Sequence, residues 1–315
     1  MSTVDIASAA ATPVAAERKA PKRRPKFAET WWRHVVGIVA CLVALFPIWF
    51  VASASFDASQ SISTTGFFPT SWTVSNYGRL LHNQIPSAGG RGTIYEPFLH
   101  WFANTLIVGT VAALCTVLIS AFAAYAFSRF RFRGRRMGML ALLLIQMFPL
   151  LLLVVPIYLI ISNVGAIFPA VSLNSYLALI LVYLGGAMGV NTWLMKGYFD
   201  TIPRELDESA RVDGATPAQI FWGVVLPLAL PILAVIGLWS FIFAINEYVI
   251  ASVIMQTPDH LTLPVGLRFL INGNYSTYWG YFAAAALMAA IPAVALFAWL
   301  QRYIVSGLAQ GAVKG

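Results

Sequence analysis

Residues 205–227 read ELDESARVDGATPAQIFWGVVLP. Only 10% of the chain is charged, yet four acids, Glu205, Asp207, Glu208 and Asp213, fall within nine residues here. LDESARVD is rich in good helix formers, and Glu208 and Arg211 stand three apart on one helical face. Gly214 ends that turn, and Pro217 suits the first turn of a second short helix over roughly 217–222. The spacing predicts helix, glycine hinge, helix, with the acids exposed to cations on a partner. An ordinary solvated loop has the same composition.

Long apolar runs flank the segment. The chain has 315 residues, 59% of them hydrophobic, and a mean hydropathy of +0.76. A soluble domain cannot hide that much apolar surface, so the composition points to an integral membrane protein. Six stretches, near 35–56, 99–127, 137–161, 174–198, 223–255 and 280–304, are long enough to cross a hydrocarbon core, which takes about 20 helical residues. Continuous apolar runs, rather than alternation, favour helices over a barrel. The expected fold is therefore all-α, with six transmembrane helices.

Charge orients them. Of the 20 Lys and Arg residues, 17 fall on one side: in the N-terminal tail, at Arg129, Arg131, Arg133, Arg135 and Arg136, around the acidic segment, and at the C-terminal end. Arg79, Arg91 and Arg268 fall on the other. The positive-inside rule makes both termini cytoplasmic. The formal charge of +8 thus reflects topology and contact with anionic membrane lipid. No nucleic-acid partner is expected, since no basic segment has a folded reading platform. Ala52-Ser53-Ala54 resembles a signal-cleavage site, but the long preceding tail and apolar run fit a retained helix.

Residues 1–30 have no apolar periodicity and are expected to be a disordered basic tail. The six-helix transmembrane body then covers 31–304, with the acidic segment at 204–222, and 305–315 is a short C-terminal tail. Residues 57–98 make the longest outside loop, and 256–279 a second that is long enough to reach a partner. Cys41 and Cys115 sit inside apolar spans, so no disulfide, metal or bound cofactor is expected. Gly307, Gly311, Lys314 and Gly315 do not have phosphate-loop spacing, so the chain is not expected to be an ATPase or any other enzyme.

Glu208-Ser209-Ala210, then Arg211 and Val212, then Asp213-Gly214-Ala215, and later Leu226-Pro227, resemble the cytoplasmic signature of permease subunits of ATP-binding-cassette importers. The glycine stands six residues after the glutamate, as that family requires. Ser209 replaces the first alanine with another small residue. NTWLMKGYFDTIPRELDE, LPLALPILAV, YFAAAALMAAIP and QRYIVSGLAQGAVKG extend the likeness to the smaller permease subunit of bacterial maltose/maltodextrin importers, from about Pro47 to Gly315.

The resemblance implies a type I importer permease fold in the bacterial inner membrane. It implies a homologous second permease, two cytoplasmic ATPases carrying ATP and Mg, and an extracytoplasmic sugar-binding protein. Glu205, Glu208, Ser209, Ala210, Asp213, Gly214, Ala215, Leu226 and Pro227 would couple to the ATPases, with Glu208 meeting a basic residue there. The tail residues Gln310, Gly311, Lys314 and Gly315 would reach into the ATPase dimer. Asn272, Gly273, Asn274 and Tyr275 would contact the binding protein.

Glu247 follows a long uncharged run in the fifth apolar stretch. A carboxylate in lipid costs on the order of 3 kcal/mol, so it must face a cavity or a partner group. Two readings stand. It lines a translocation path with Asn246 and Tyr248, or it bonds to a neighbouring helix or subunit. Gln146, Asn191 and Trp193 are open to the same pair of readings, sugar contact or helix packing. Pro227 and Pro231 bend the fifth span, and Pro149 and Pro156 the third. An ion-coupled transporter using Glu247 as a proton site, and a membrane scaffold, remain as alternatives.

Overall fold

The computed structural model of the chain describes residues 27–61, 66–86, 93–95, 97–272 and 278–312. Backbone contacts divide the chain into two units, one ending at Ile48 and the other running from Trp49 to Gly315. The first helix, α1 (Phe27–Ser55), begins in one and ends in the other. Its side chains from Trp31 to Trp49 are all exposed.

The second unit continues through α2 (Ser75–Leu81), the antiparallel pair β1 (Gln84–Pro86) and β2 (Thr93–Tyr95), and α3 (Phe98–Arg129). Next come α4 (Arg135–Gln146), α5 (Leu150–Ile167), α6 (Tyr176–Thr201), α7 (Arg204–Val212), α8 (Pro217–Ile220) and α9 (Leu226–Leu228). The chain ends with α10 (Leu230–Asn246), α11 (Val249–Ile254), α12 (Leu263–Asn272) and α13 (Trp279–Ala312). Among the described residues five helices are long and apolar enough to cross a membrane: Trp31–Ser55, α3, α5, α6 and Trp279–Ile304. Pro217–Leu228 and α10 are long and apolar enough only together, and they meet at a 79° bend, the geometry of a broken span or a re-entrant loop.

Two of the six expected spans are not single helices. The third breaks at Met147–Pro149, separating α4 from α5. Pro149 has no amide to donate and adopts an extended ψ of 122°, so the ladder cannot pass through it. Pro156, by contrast, lies inside α5. The fifth turns sharply at Ala229, just before Pro231, and stops again at Glu247, whose ψ is 121°. A π-helical turn at Phe221–Val225 precedes the corner.

α3 is the central helix, packed against α6 and α10, and α13 packs on α10. One apolar cluster gathers Trp101, Val108, Leu179, Tyr183, Ile254 and Tyr281. Trp101 is fully buried, donates its indole N–H to the Pro258 carbonyl at 2.8 Å and lies flat against Gly266, where a Cβ has no room. A second cluster, of Ala121, Tyr125, Met195, Phe199, Ile220 and Phe221, joins the ends of α3 and α6 to the acidic segment.

Outside the spans, Asp57 organises the loop after α1. Its buried carboxylate accepts from the Ser59 amide at 2.9 Å and the Thr70 amide at 3.0 Å. The hydroxyls of Thr70 and Ser71 also donate to it. Asn76 donates to the carbonyls of Ser55 and Asp57.

Candidate functional site

The acidic segment folds as its spacing predicts. Glu205 and Asp207 occupy the first turn of α7, where the helix dipole favours negative charge. The helix closes through two reversed bonds, Ala215 N–H to the Ala210 carbonyl at 2.9 Å and Gly214 N–H to the Arg211 carbonyl at 3.0 Å. This Schellman closure needs a left-handed residue at Gly214, whose φ is +83°. α8 then starts on a reciprocal cap: Gln219 N–H donates to the Thr216 hydroxyl, and Thr216 N–H donates to the Gln219 side-chain carbonyl. Pro217 supplies the preset φ of the first helical position. The corner after Leu226-Pro227 carries the chain into α10.

The expectation that all four acids face solvent is corrected at Asp207. Its side chain is buried, with Oδ2 2.7 Å from Nε of Arg129. Nη2 of Arg129 also donates to the Ile202 carbonyl at 3.1 Å. Around this pair the end of α3 grips the segment repeatedly. The Tyr125 hydroxyl donates to the Pro217 carbonyl at 3.1 Å, and Nη2 of Arg204 donates to the Ser128 carbonyl at 3.2 Å. The Ser128 hydroxyl donates to Asp200, which is also ion-paired to Lys196.

The opposite face is open. Glu205, Glu208, Ser209, Asp213 and Gly214 are exposed, and Ala210 and Ala215 are half-buried. Glu208 has no hydrogen-bond or ion partner among the described residues, Arg211 included. One side is thus fastened to α3, and the other leaves carboxylates and small residues uncovered. Arg129, Tyr125 and Ser128 were not expected here. The sequence signal was weak, because Arg129 reads as one more positive-inside charge.

The residues expected along a pathway stand in separate places among the described residues. Gln146 donates to the Gly186 carbonyl at 2.6 Å and accepts from Val190 N–H, which ties α4 to α6. Asn191 is buried and reaches Ser240 on α10. Trp193 lies in a groove between α4 and α6. Asn246 and Tyr248 line a cavity of about 630 Å³ with Arg268, which donates to the Tyr248 hydroxyl at 2.9 Å.

Glu247 is buried and held from three directions. It accepts from the Tyr183 hydroxyl at 2.9 Å and from the amides of Ile250 and Ala251, capping α11. Here the carboxylate replaces the helix ladder that stopped at the same residue. Gly273, Asn274, Tyr275, Lys314 and Gly315 lie outside the described residues, as do the side chains of Asn272, Gln310 and Gly311.

Five helices long and apolar enough to cross a membrane, with an acidic segment fastened to the end of one of them, mark an integral membrane protein. The family of binding-protein-dependent transport system inner membrane components matches residues 116–310, and the chain belongs to it. It is an inner membrane component with a type I importer permease fold. It is 37% identical over 274 residues to the maltodextrin transport system permease protein MdxG of Bacillus subtilis, covering 87% of this chain and 92% of that one. It is equally identical over 274 residues to the galactooligosaccharides transport system permease protein GanQ of the same organism, with the same coverage. Among solved structures it is similar to a chain of a bacterial ABC transporter involved in the import of the acidic polysaccharide alginate. That match has a TM-score of 0.67 and 27% identity, and covers 90% of this chain and 99% of that one.

Proposed function

We propose that the chain is the smaller permease subunit of an ATP-driven importer of oligosaccharides. Maltose or maltodextrin is the favoured solute, ahead of trehalose or another disaccharide. The relatives that carry maltodextrin and galactooligosaccharide names support the oligosaccharide class. The observation that carries the mechanism is the two-sidedness of 204–222: α3 holds one face through Arg129 and Asp207, and Glu208 stands free on the other.

In this reading a homologous permease completes the pathway, two ATPases dock beneath, and an extracytoplasmic binding protein delivers the sugar. Closure of the ATPases displaces the segment. The helices fastened to it then rock between inward-open and outward-open states, a rigid-body change. Glu208 meets a cation on the ATPase, Gly214 permits close approach, and Leu226-Pro227 passes the motion to α10. Glu247 belongs to the frame that moves. Its three donors support this structural role over proton coupling.

The test is ATP hydrolysis by the purified assembly with its binding protein, screened across maltodextrins, galactooligosaccharides and trehalose. Stimulation by a maltodextrin, abolished by Glu208→Lys without loss of membrane insertion, is expected. Normal uptake by that variant would overturn the coupling scheme. Uptake that persists without ATP would overturn the class.

A further inference from the structure

The chain turns at Gly134, φ +85°, between the end of α3 and the start of α4. There it opens a groove of about 650 Å³ against α6. Arg135, Arg136 and Lys196 stand at its mouth, and Met139 and Leu143 continue along its wall, with Trp193 opposite. Arg135, Met139 and Leu143 recur every four residues, so one face of α4 grades from cation to hydrocarbon. Nothing on α4 is buried, and the N-terminal amides have no side-chain cap. The Arg135 amide donates to the Phe132 carbonyl at 3.4 Å, whereas the guanidinium groups of Arg135 and Arg136 make no hydrogen bond or salt bridge among the described residues. The nearby carboxylate, Asp200, is already held by Lys196 and Ser128.

We propose that this groove binds one anionic phospholipid of the inner leaflet. Its phosphate would sit on the guanidinium groups of Arg135 and Arg136 at the start of α4, and an acyl chain would lie along Met139 and Leu143. The charge sequence selects this occupant. An acidic soluble partner matches only the mouth and a neutral lipid only the wall, whereas an anionic phospholipid matches both. The side agrees as well, since the basic loops lie in the leaflet that carries anionic lipid, and basic clusters there hold such head groups. Trp193 supplies the amphipathic ring that favours the membrane boundary.

The experiment is native mass spectrometry of the full-length chain, purified with its accompanying subunits, titrated with phosphatidylglycerol or phosphatidylcholine. Phosphatidylglycerol is expected to bind preferentially. Arg135→Gln with Arg136→Gln should weaken it roughly 30-fold, from the loss of two cations at the surface. Arg131→Gln with Arg133→Gln removes the same charge from the same loop outside the groove and should leave binding unchanged. Met139→Asn with Leu143→Asn should weaken it too, and millimolar inorganic phosphate should not displace it. Equal loss in the two arginine pairs would reduce the effect to diffuse surface charge and overturn the site. Displacement by phosphate, insensitivity to the Met139 and Leu143 pair, or equal binding of phosphatidylcholine would do the same. None of these outcomes depends on the transported sugar.

Discussion

Nε of Arg129 lies 2.7 Å from Oδ2 of Asp207, with both side chains almost wholly withdrawn from solvent. The last residue of α3 is thereby joined to the first turn of α7 across 78 positions of sequence. Oδ1 of the same carboxylate has no hydrogen-bond partner among the described residues, so Arg129 is its principal compensation. Removing either member alone strands a buried charge, which typically costs about 3–5 kcal/mol. Asp207→Ala and Arg129→Ala should each lower the thermal stability of the purified protein accordingly. Arg129→Met with Asp207→Leu should recover most of it, because apolar replacement of a buried pair is often neutral. An Asp207→Ala protein as stable as the parent would refute the anchoring role.

Gly214 offers a different kind of test. Its Cβ position is open, with no atom within 4 Å, so alanine there meets no steric obstacle. What alanine meets is the left-handed backbone, which disfavours L-residues by about 1–2 kcal/mol. Gly214→Ala should fray the end of α7, raising amide exchange at Gly214 and Ala215 while the spans stay protected. Gly214→Asn should be milder, since asparagine tolerates this conformation. Equal exchange in both variants would count against the Schellman closure.

The loop around Asp57 should show a defined acid response. Burial raises its carboxyl pKa, but hydrogen bonds from Ser59 and Thr70 outweigh that and hold it down at about 2. A folded value below the ordinary one means that the carboxylate stabilises the fold fully above about pH 4. That contribution is lost as pH falls through about 2. Asp57→Asn should therefore be less stable than the parent at neutral pH, with the gap closing in acid. Thermal unfolding at pH 7 and pH 3 measures this. A gap that widens in acid would contradict the sign.

Glu247→Gln replaces an acceptor of three donors by a group with one acceptor oxygen and an amide that itself donates. A buried donor left unsatisfied costs about 1–3 kcal/mol, so the variant should be destabilised, and Tyr183→Phe less so. Transport measured per folded molecule should survive in both. Abolished uptake at unchanged stability would move Glu247 from the frame into the pathway.

The acidic segment was legible because its signals are local. Gly214 and Pro217 punctuate it, and the Thr216–Gln219 cap that the structure adds is local as well, three residues apart. The spans were legible from length and apolarity. Their interruptions at Met147–Pro149 and Glu247 were harder to place, since hydropathy is blind to where backbone hydrogen bonds stop. Prolines 149 and 156 look alike in sequence, yet only the first coincides with a break. The burial of Asp207 was invisible, because an acid in an acidic cluster reads as solvated until a distant arginine is folded against it. The same long-range pairing separates Glu247 and Tyr183, 64 positions apart.

The corner at Ala229 sets what kind of movement the molecule is able to pass on. With 79° between the two axes, Pro217–Leu228 is a crank arm set across the shaft formed by α10. A shove along the arm has almost no component along the shaft, so it does not push α10 lengthwise like a piston. It turns or tips the shaft instead of sliding it along its own axis.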